Sequence, residues 1–249
     1  MAADYDRLRA RPAGPALDWL APDHPGVFVD LGAGTGLFTT ALAGRTAHVI
    51  AIEPDSRMRR VLAEKASSRI QVLAGSGESI PLPDASADAL FVSSAWHWMD
   101  PDKAIPEIAR VLRDSARFGV IWTGRDRETD WLRPEEWFTE SGVDRDSSPA
   151  QLRSNIGQHE SALPRDGGDF TNIETRTFLF TQPMSPADLV EMLATHSRVI
   201  AASPADRARG SARARSAIDA LFPGADSIAV PMRSRCWRAD RIPRTSSAG

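Results

Sequence analysis

Cysteine is almost absent from this sequence, which contains only Cys236 among its 249 residues. A single thiol excludes a disulfide within the chain and any metal site built from several cysteines. The first residues, MAADYDRLRARP, are charged and lack the apolar core of a signal peptide. We therefore expect the protein to reside in a reducing cytoplasm.

Long apolar runs and a large excess of one charge are also lacking. No run of apolar residues is long enough to cross a bilayer, so no membrane partner is expected. The net charge of −3 gives the molecule little attraction for polyanions. The N-terminal half has no basic patches interleaved with aromatic residues, which disfavours a nucleic-acid partner.

Short apolar runs alternate with segments of helical spacing along the chain. This alternation predicts a doubly wound α/β sheet, because strands buried under helices on both faces are short and continuously apolar. The predicted strands are residues 27–30, 48–52, 70–74, 87–93, 118–123, 173–180 and 227–239. The predicted helices are residues 37–43, 56–66, 101–112, 186–200 and 204–222.

A glycine-rich turn follows the first predicted strand, in the sequence VFVDLGAGTGLF. Gly32, Gly34 and Gly36 let the chain turn sharply into a helix and let a ligand approach the main chain closely. Glu53 closes the next strand, 21 positions after Gly32. A carboxylate in that place suits the two hydroxyl groups of a ribose.

The spacing of the glycines narrows the choice of ribose-bearing cofactor. Dinucleotide-binding turns follow the pattern G-x-G-x-x-G, whereas this chain has G-x-G-x-G and Leu37 stands where the last glycine would be. Asp30, directly before the turn, would repel a phosphate but attract an amino group. The pattern favours a cofactor that carries an amino acid over one that carries a pyrophosphate.

These motifs resemble the class I S-adenosylmethionine-dependent methyltransferases. VDLGAGTG followed by AIEPD is typical of the class, and AGSGESIPLPDASADALFVSSAWHW resembles its type 11 branch, which contains trans-aconitate-type small-molecule enzymes. The resemblance implies a Rossmann-like seven-stranded sheet, mostly parallel, with an antiparallel last strand and helices on both faces. It implies S-adenosylmethionine as cofactor and a small molecule as methyl acceptor.

The resemblance also assigns candidate residues to parts of the cofactor. Asp30 and the main chain from Gly32 to Gly36 would hold the methionine half, and Glu53 would hold the ribose. The adenine would lie beside Pro54 and Met58. The remaining candidates for cofactor binding are Ala33, Ser76, Gly77, Glu78 and Ser94, with Tyr5 and Arg11 from an N-terminal motif that folds over the cofactor.

A single domain is expected, in four parts. Residues 1–123 would form the cofactor-binding core, and residues 170–239 would complete the sheet and the substrate side. Residues 124–169 are too long for a plain connection. They are interpreted either as a partly helical lid over the active site or as a segment that is poorly ordered without substrate. Residues 240–249 are predicted to be a disordered tail.

The fourth predicted strand leads into AWHWMD, at the sheet edge where ligands bind in α/β folds. His97 could act as a base for a hydroxyl or amine acceptor, or bind an acceptor that is a carboxylate. It could also be a packed residue that orders the loop. Trp96, Trp98 and Trp122 are candidates for substrate contact, and one of the first two is expected to be core.

Several classes of function are disfavoured. The Asn/Asp-Pro-Pro-Tyr/Phe signature of enzymes that methylate base amino groups is absent, since SSAWHW occupies its place. No set of ligands for a divalent metal stands in motif context, so no metal is expected. Two alternatives stay open: a regulatory protein that binds the cofactor without turnover, and a nicotinamide-dependent oxidoreductase.

Overall fold

The computed structural model describes residues 8–126, 128–129, 131, 162–194 and 203–244. In this part of the chain, seven strands form one sheet with the order β3-β2-β1-β4-β5-β7-β6. The strands are β1 (Val27–Leu31), β2 (His48–Ile52), β3 (Ile70–Leu73), β4 (Ala87–Ser93), β5 (Leu112–Arg125), β6 (Phe170–Met184) and β7 (Ile228–Arg241).

The strand pairing confirms the predicted topology. The pairs from β3 to β5 are all parallel, and β7 runs antiparallel to both of its neighbours, β5 and β6. Strand β1 lies between β2 and β4, so the chain reverses its direction of winding at β1. In open α/β sheets, ligands bind beside the carboxyl ends of the strands at such a reversal.

Helices cover both faces of the sheet, as predicted. They are α1 (Gly14–Leu20), α2 (Leu37–Leu42), α3 (Ser56–Glu64), α4 (Pro101–Val111), α5 (Pro186–Ala194) and α6 (Pro204–Leu221), with a short 3₁₀ helix at Trp96–Trp98. The side chains of Asp55, Asp100 and Ser203 cap α3, α4 and α6 by accepting main-chain N–H bonds. These caps satisfy donors that the first helical turn leaves unpaired.

Alternate residues of the central strands point to opposite faces. In β4, Ala89 and Phe91 belong to a core with helices α1, α2 and α3, while Leu90 and Val92 belong to a core with α4. This period of two is the geometry of an extended chain. Because both faces are buried, almost every residue of β4 is apolar, which explains why its bounds agree with the prediction.

The outer strands differ from the prediction. Strand β6 extends beyond the predicted residues 173–180 at both ends, and β7 extends beyond the predicted residues 227–239 at its C-terminal end. The two strands pair with each other along a long ribbon at the edge of the sheet. β7 continues through Asp240 and Arg241, so the predicted tail begins too early. Asp240 accepts hydrogen bonds from Arg117 (2.7 Å) and Asn172 (3.1 Å), which hold the strand end in place.

The remaining differences concern two helices and the predictions made for residues outside the described ranges. Helix α1 was not predicted, although Pro15 stands in its first turn as expected for a helix start. Helix α5 is described only to Ala194, short of the predicted end at residue 200. Most of the predicted lid at residues 124–169, and the last residues of the predicted tail, lie outside the described residues.

Candidate active site

The glycine turn lies at the carboxyl end of β1 and adopts a backbone that other residues rarely adopt. The φ angles of Gly32, Gly34 and Gly36 are 73°, 56° and 87°. A Cβ atom on Gly32 would stand 2.7 Å from the Cβ of Ala95, in the loop after β4. The N–H groups of Gly32 and Ala33 donate to the carbonyl of Ile52 at 2.8 and 3.0 Å. The turn is therefore fixed between the ends of β2 and β4.

Asp30 is completely buried in β1, directly before the turn. Thr39 Oγ1, from α2, donates to Asp30 Oδ2 at 2.5 Å, whereas Oδ1 has no hydrogen-bond partner. Burial raises the pKa of the Asp30 carboxyl to about 7; the bond from Thr39 opposes this rise, and the charge of Glu53 adds to it. A buried carboxylate oxygen without a partner fits a ligand that brings a positively charged donor.

Glu53 directly follows β2 and is almost fully buried. Its Oε2 accepts the N–H of Gly34 and its Oε1 accepts the N–H of Asp55, both at 2.8 Å. Each carboxylate oxygen can accept more than one hydrogen bond. The side chain therefore holds two loops together and still has acceptor capacity for the hydroxyl groups of a ligand.

The loop after β3 forms the next part of the edge. Ser76 and Ser79 form a small antiparallel bridge, and Glu78 Oε1 accepts the N–H of Asp100 at 2.9 Å. Burial alone would raise the pKa of Glu78, but the hydrogen bonds from Asp100 and Ser76 outweigh burial and lower it. A Cβ on Gly77 would stand 2.7 Å from Met99 Sδ, so this loop packs directly on the one after β4.

The two tryptophans of AWHWMD, in the loop after β4, lie in different environments. Trp96 is core, with its ring centroid 5.9 Å from that of Phe118, while Trp98 is 82% exposed. His97 is exposed, with its ring 4.9 Å from that of Trp98. Ser94 has a φ of 53° and donates its N–H to the carbonyl of Ile121 at 2.8 Å. The short 3₁₀ helix thus turns consecutive side chains in different directions.

These loops enclose a cavity of about 420 Å³ at the carboxyl edge of the sheet. This volume lies within the range of small-molecule sites. The structure brings most predicted site residues together there. Those that line the cavity are Asp30, Gly32, Ala33, Gly34, Glu53, Pro54, Met58, Ser76, Gly77, Glu78, Ser94 and Trp98.

Other predicted residues are placed elsewhere. Gly36 precedes α2 and packs against Leu62, and Trp122 is half-buried against the core on the α4 face. His97, Trp96 and Arg11 do not line the cavity. Arg11 is exposed, whereas its neighbours Ala10 and Pro12 line the cavity. Tyr5 lies outside the described residues.

Several lining residues were not predicted. They are Arg9, Ala10, Pro12, Leu37, Phe38, Asp55, Ser93, Ala95, Met99 and Thr123. Thr123 follows from strand register, because the ends of the parallel strands β4 and β5 meet at one edge. Arg9, Ala10 and Pro12 depend on where the N-terminal segment packs, and no local pattern in the sequence indicates this.

Among the described residues, no group of three or more His, Cys, Asp or Glu side chains is placed so that it could hold a metal ion. None of the helices in the described ranges combines the length and apolar character needed to cross a membrane.

Comparison with known proteins decides the family. A model described as a methyltransferase domain matches residues 29–120, which include the glycine turn, Glu53 and the loops after β3 and β4. An uncharacterised methyltransferase of Mycobacterium tuberculosis is 35% identical over 237 residues, which cover 93% of this chain and 90% of that protein. The chain belongs to the methyltransferase family.

Solved structures show the same fold. A protein from Anaeromyxobacter dehalogenans, described by its similarity as a type II methyltransferase, has a TM-score of 0.74 at 23% identity, over 95% of this chain and 99% of that chain. Phosphoethanolamine N-methyltransferase 2 of Haemonchus contortus, in complex with phosphomonomethylethanolamine and S-adenosylhomocysteine, has a TM-score of 0.52 at 15% identity, over 98% of this chain and 57% of that chain.

These comparisons confirm the methyltransferase family and the enzyme class, and the solved structures show the same fold. The family assignment favours methyl transfer over the nicotinamide-dependent alternative. The narrower resemblance to trans-aconitate-type enzymes stays a prediction, as do the roles of individual site residues.

Proposed function

We propose that this methyltransferase binds S-adenosylmethionine in the 420 Å³ cavity and transfers its methyl group to a small molecule beside Trp98 and Thr123. The observation that carries the proposal is the unpartnered Oδ1 of Asp30 at the glycine turn. Among the parts of this cofactor, the methionine ammonium is the cation that would complete the hydrogen bonding of that buried oxygen.

The remaining polar groups fit the same ligand. Glu53 would accept the ribose hydroxyls with the lone pairs that its two main-chain bonds leave available. Met58, which is partly exposed in the cavity, and Pro54 would form an apolar wall for the adenine. Glu78 and Ser76 would border its edge. The cavity therefore offers hydrogen-bond acceptors for the ribose and an apolar wall for the base.

When bound, S-adenosylmethionine supplies an electrophilic methyl carbon on a sulfonium. The contribution of the protein is alignment, because an in-line displacement needs the acceptor lone pair opposite the bond that breaks. Ser94 and Thr123 offer hydroxyl groups at that end of the cavity, and the exposed ring of Trp98 offers a flat face for an acceptor. An acceptor that carries a proton would need a base, and the candidate is His97, which directly precedes Trp98 in the sequence.

Binding and turnover are tested separately. In calorimetry, S-adenosylmethionine should bind the purified protein at micromolar concentrations while NADH gives no heat. Methyl transfer is then followed with isotope-labelled cofactor over a panel of small-molecule acceptors, with bulk RNA as a comparison. Binding without transfer to any acceptor would favour the non-catalytic regulatory alternative. Transfer to RNA alone would contradict the small-molecule assignment.

Cofactor affinity should depend on the protonation of Asp30. Because the pKa of Asp30 is raised to about 7, this side chain is protonated at pH 5.5 and increasingly ionised toward pH 7. The ammonium of the cofactor binds the ionised form, so the dissociation constant should fall by about tenfold over that interval. Calorimetry at constant ionic strength measures this slope. Asp30→Asn should flatten it, and an unchanged slope in that variant would assign the titration to another group.

His97 and Trp98 should have separable effects. Trp98→Ala removes a ring that lines the cavity, so we expect the KM for the acceptor to rise by about tenfold with little change in cofactor affinity. His97→Ala should lower kcat by about a hundredfold if His97 is the base, again without a change in cofactor affinity. Steady-state kinetics with the acceptor found in the panel measures both. Unaltered turnover in His97→Ala would remove His97 from the mechanism.

A further inference from the structure

Thr123 and Ser234 face each other across strands β5 and β7. They are directly opposed in the antiparallel pairing, and their hydroxyl oxygens lie 2.9 Å apart. Thr123 lines the cavity and is half-buried, whereas Ser234 is completely buried. The next pair on this face, Ile121 and Cys236, is buried in the core with α1, α2 and α3. The two hydroxyl groups are therefore closed off by the core on one side and reach the cavity through Thr123.

The hydrogen bond between the two hydroxyl groups has a preferred direction. Ser234 Oγ also accepts the N–H of Ala13 at 3.4 Å, and an N–H group can only donate. Within the described ranges, the hydroxyl proton of Ser234 has one acceptor, which is Thr123 Oγ1. If Thr123 donated to Ser234 instead, this buried proton would be left without an acceptor, which is unfavourable. The balance of partners therefore makes Ser234 the donor and Thr123 the acceptor.

We propose that Ser234 turns the hydroxyl proton of Thr123 toward the cavity, where Thr123 donates it to a carbonyl or carboxylate oxygen of the methyl acceptor. A hydroxyl group has one proton and two lone pairs, so the bond from Ser234 occupies a lone pair of Thr123 and leaves its proton for a ligand. Thr123 thereby selects the acceptor, and Ser234 is a positioning residue. The inference rests on the proposed function, since it places the methyl acceptor beside Thr123.

The direction of this bond matters because a bound ligand displaces solvent. Water can accept the Thr123 proton in the free protein, whereas a ligand in the same place must either accept that proton or leave it unpaired. The oxygen of a ketone, an ester, an amide or a carboxylate accepts it. An ammonium cannot, because it has no lone pair. The two hydroxyl groups therefore favour methyl acceptors that carry such an oxygen at this position.

Neutron diffraction from crystals of the wild-type protein grown in D₂O tests the direction of the bond without a ligand. The deuteron of the Ser234 hydroxyl should lie between the two oxygens, and that of Thr123 should point into the cavity. A Thr123 deuteron placed between the two oxygens would overturn the inference. This measurement needs no cofactor and no variant, so its result is independent of the proposed function.

A matched pair of uncharged probes tests the ligand class in the S-adenosylhomocysteine complex. Acetophenone carries a carbonyl oxygen, and α-methylstyrene has a CH₂ group in its place with nearly the same shape. The Kd of α-methylstyrene divided by that of acetophenone should fall by about tenfold in Thr123→Val, which keeps the branched shape but lacks the donor. Thr123→Ser should keep this ratio, and Ser234→Ala should lower it by about threefold. Thr175→Val, at an exposed position of β6, should leave it unchanged.

The ratio of the two probes separates selection by Thr123 from a general effect on packing. A looser cavity in a variant changes the affinity of both probes alike, because their shapes are matched. The same ratio in wild type and Thr123→Val, including the case in which neither probe binds, would contradict the inference. A wild-type protein that binds neither S-adenosylmethionine nor S-adenosylhomocysteine would contradict the proposed function instead, and the neutron structure would still decide the direction of the bond.

Discussion

Replacement of Gly32 by alanine should abolish cofactor binding, with a loss of affinity of at least about a hundredfold. The φ angle of 73° is strained for alanine, and the added Cβ would lie 2.7 Å from the Cβ of Ala95. Ala95 is buried, so the clash can be relieved only by moving the glycine turn or the loop after β4. Either shift displaces main chain that the cofactor must approach closely. Calorimetry with S-adenosylmethionine measures the loss.

Gly224 provides a matched control for backbone strain. Its φ angle is 71°, and a Cβ there would meet nothing within 4 Å. Gly224→Ala should therefore cost about 1–2 kcal/mol of unfolding free energy from strain alone and leave cofactor affinity unchanged. The double variant Gly32→Ala with Ala95→Gly removes the clash but keeps the strain, so it should recover part of the affinity. Wild-type affinity in Gly32→Ala would show that the turn does not touch the cofactor.

The central part of the molecule was predictable because its signals are local. Strands β2 and β4 have the predicted bounds, since each is buried on both faces and ends at a polar residue or turn. The glycine turn and Glu53 belong to motifs that lie next to one another in sequence and that converge at one sheet edge. Parallel strands bring their carboxyl ends together, so the spacing of these motifs already placed them in one site.

The features that could not be predicted depend on contacts between residues that are far apart in the sequence. The position of Arg9 follows from bonds such as that between Ala13 and Ser234, which are 221 residues apart. The sequence predicted that one of Trp96 and Trp98 lies in the core but could not identify which one, because this depends on the rotation of one short 3₁₀ helix. The N-terminal motif suggested the right segment for the cavity wall, but the direction of its side chains depends on tertiary packing.

The loss of the Glu53 carboxylate should weaken cofactor binding and lower the stability of the fold. Glu53→Ala leaves the N–H groups of Gly34 and Asp55 without their acceptor, and an unpaired buried donor costs about 1–3 kcal/mol. We expect the unfolding free energy to fall by about 2–4 kcal/mol in chemical denaturation. Affinity for S-adenosylmethionine should fall by about a hundredfold or more, because the ribose loses charge-assisted hydrogen bonds. Glu64→Ala, at an exposed position of α3, should change neither quantity.

The structural and ligand-binding roles of Glu53 can be separated with Glu53→Gln and a modified ligand. Glutamine retains one acceptor oxygen and most of the side-chain volume, so it should preserve more stability than alanine while losing the charge that strengthens bonds to hydroxyl groups. Wild-type protein should bind S-adenosylhomocysteine more tightly than its 2′-deoxy form, and Glu53→Gln should bind the two nearly equally. Since only the ligand differs between the two titrations, loop disorder in the variant affects both alike. A full preference for the ribose form in Glu53→Gln would restrict Glu53 to holding the loops together and would assign the ribose to other residues.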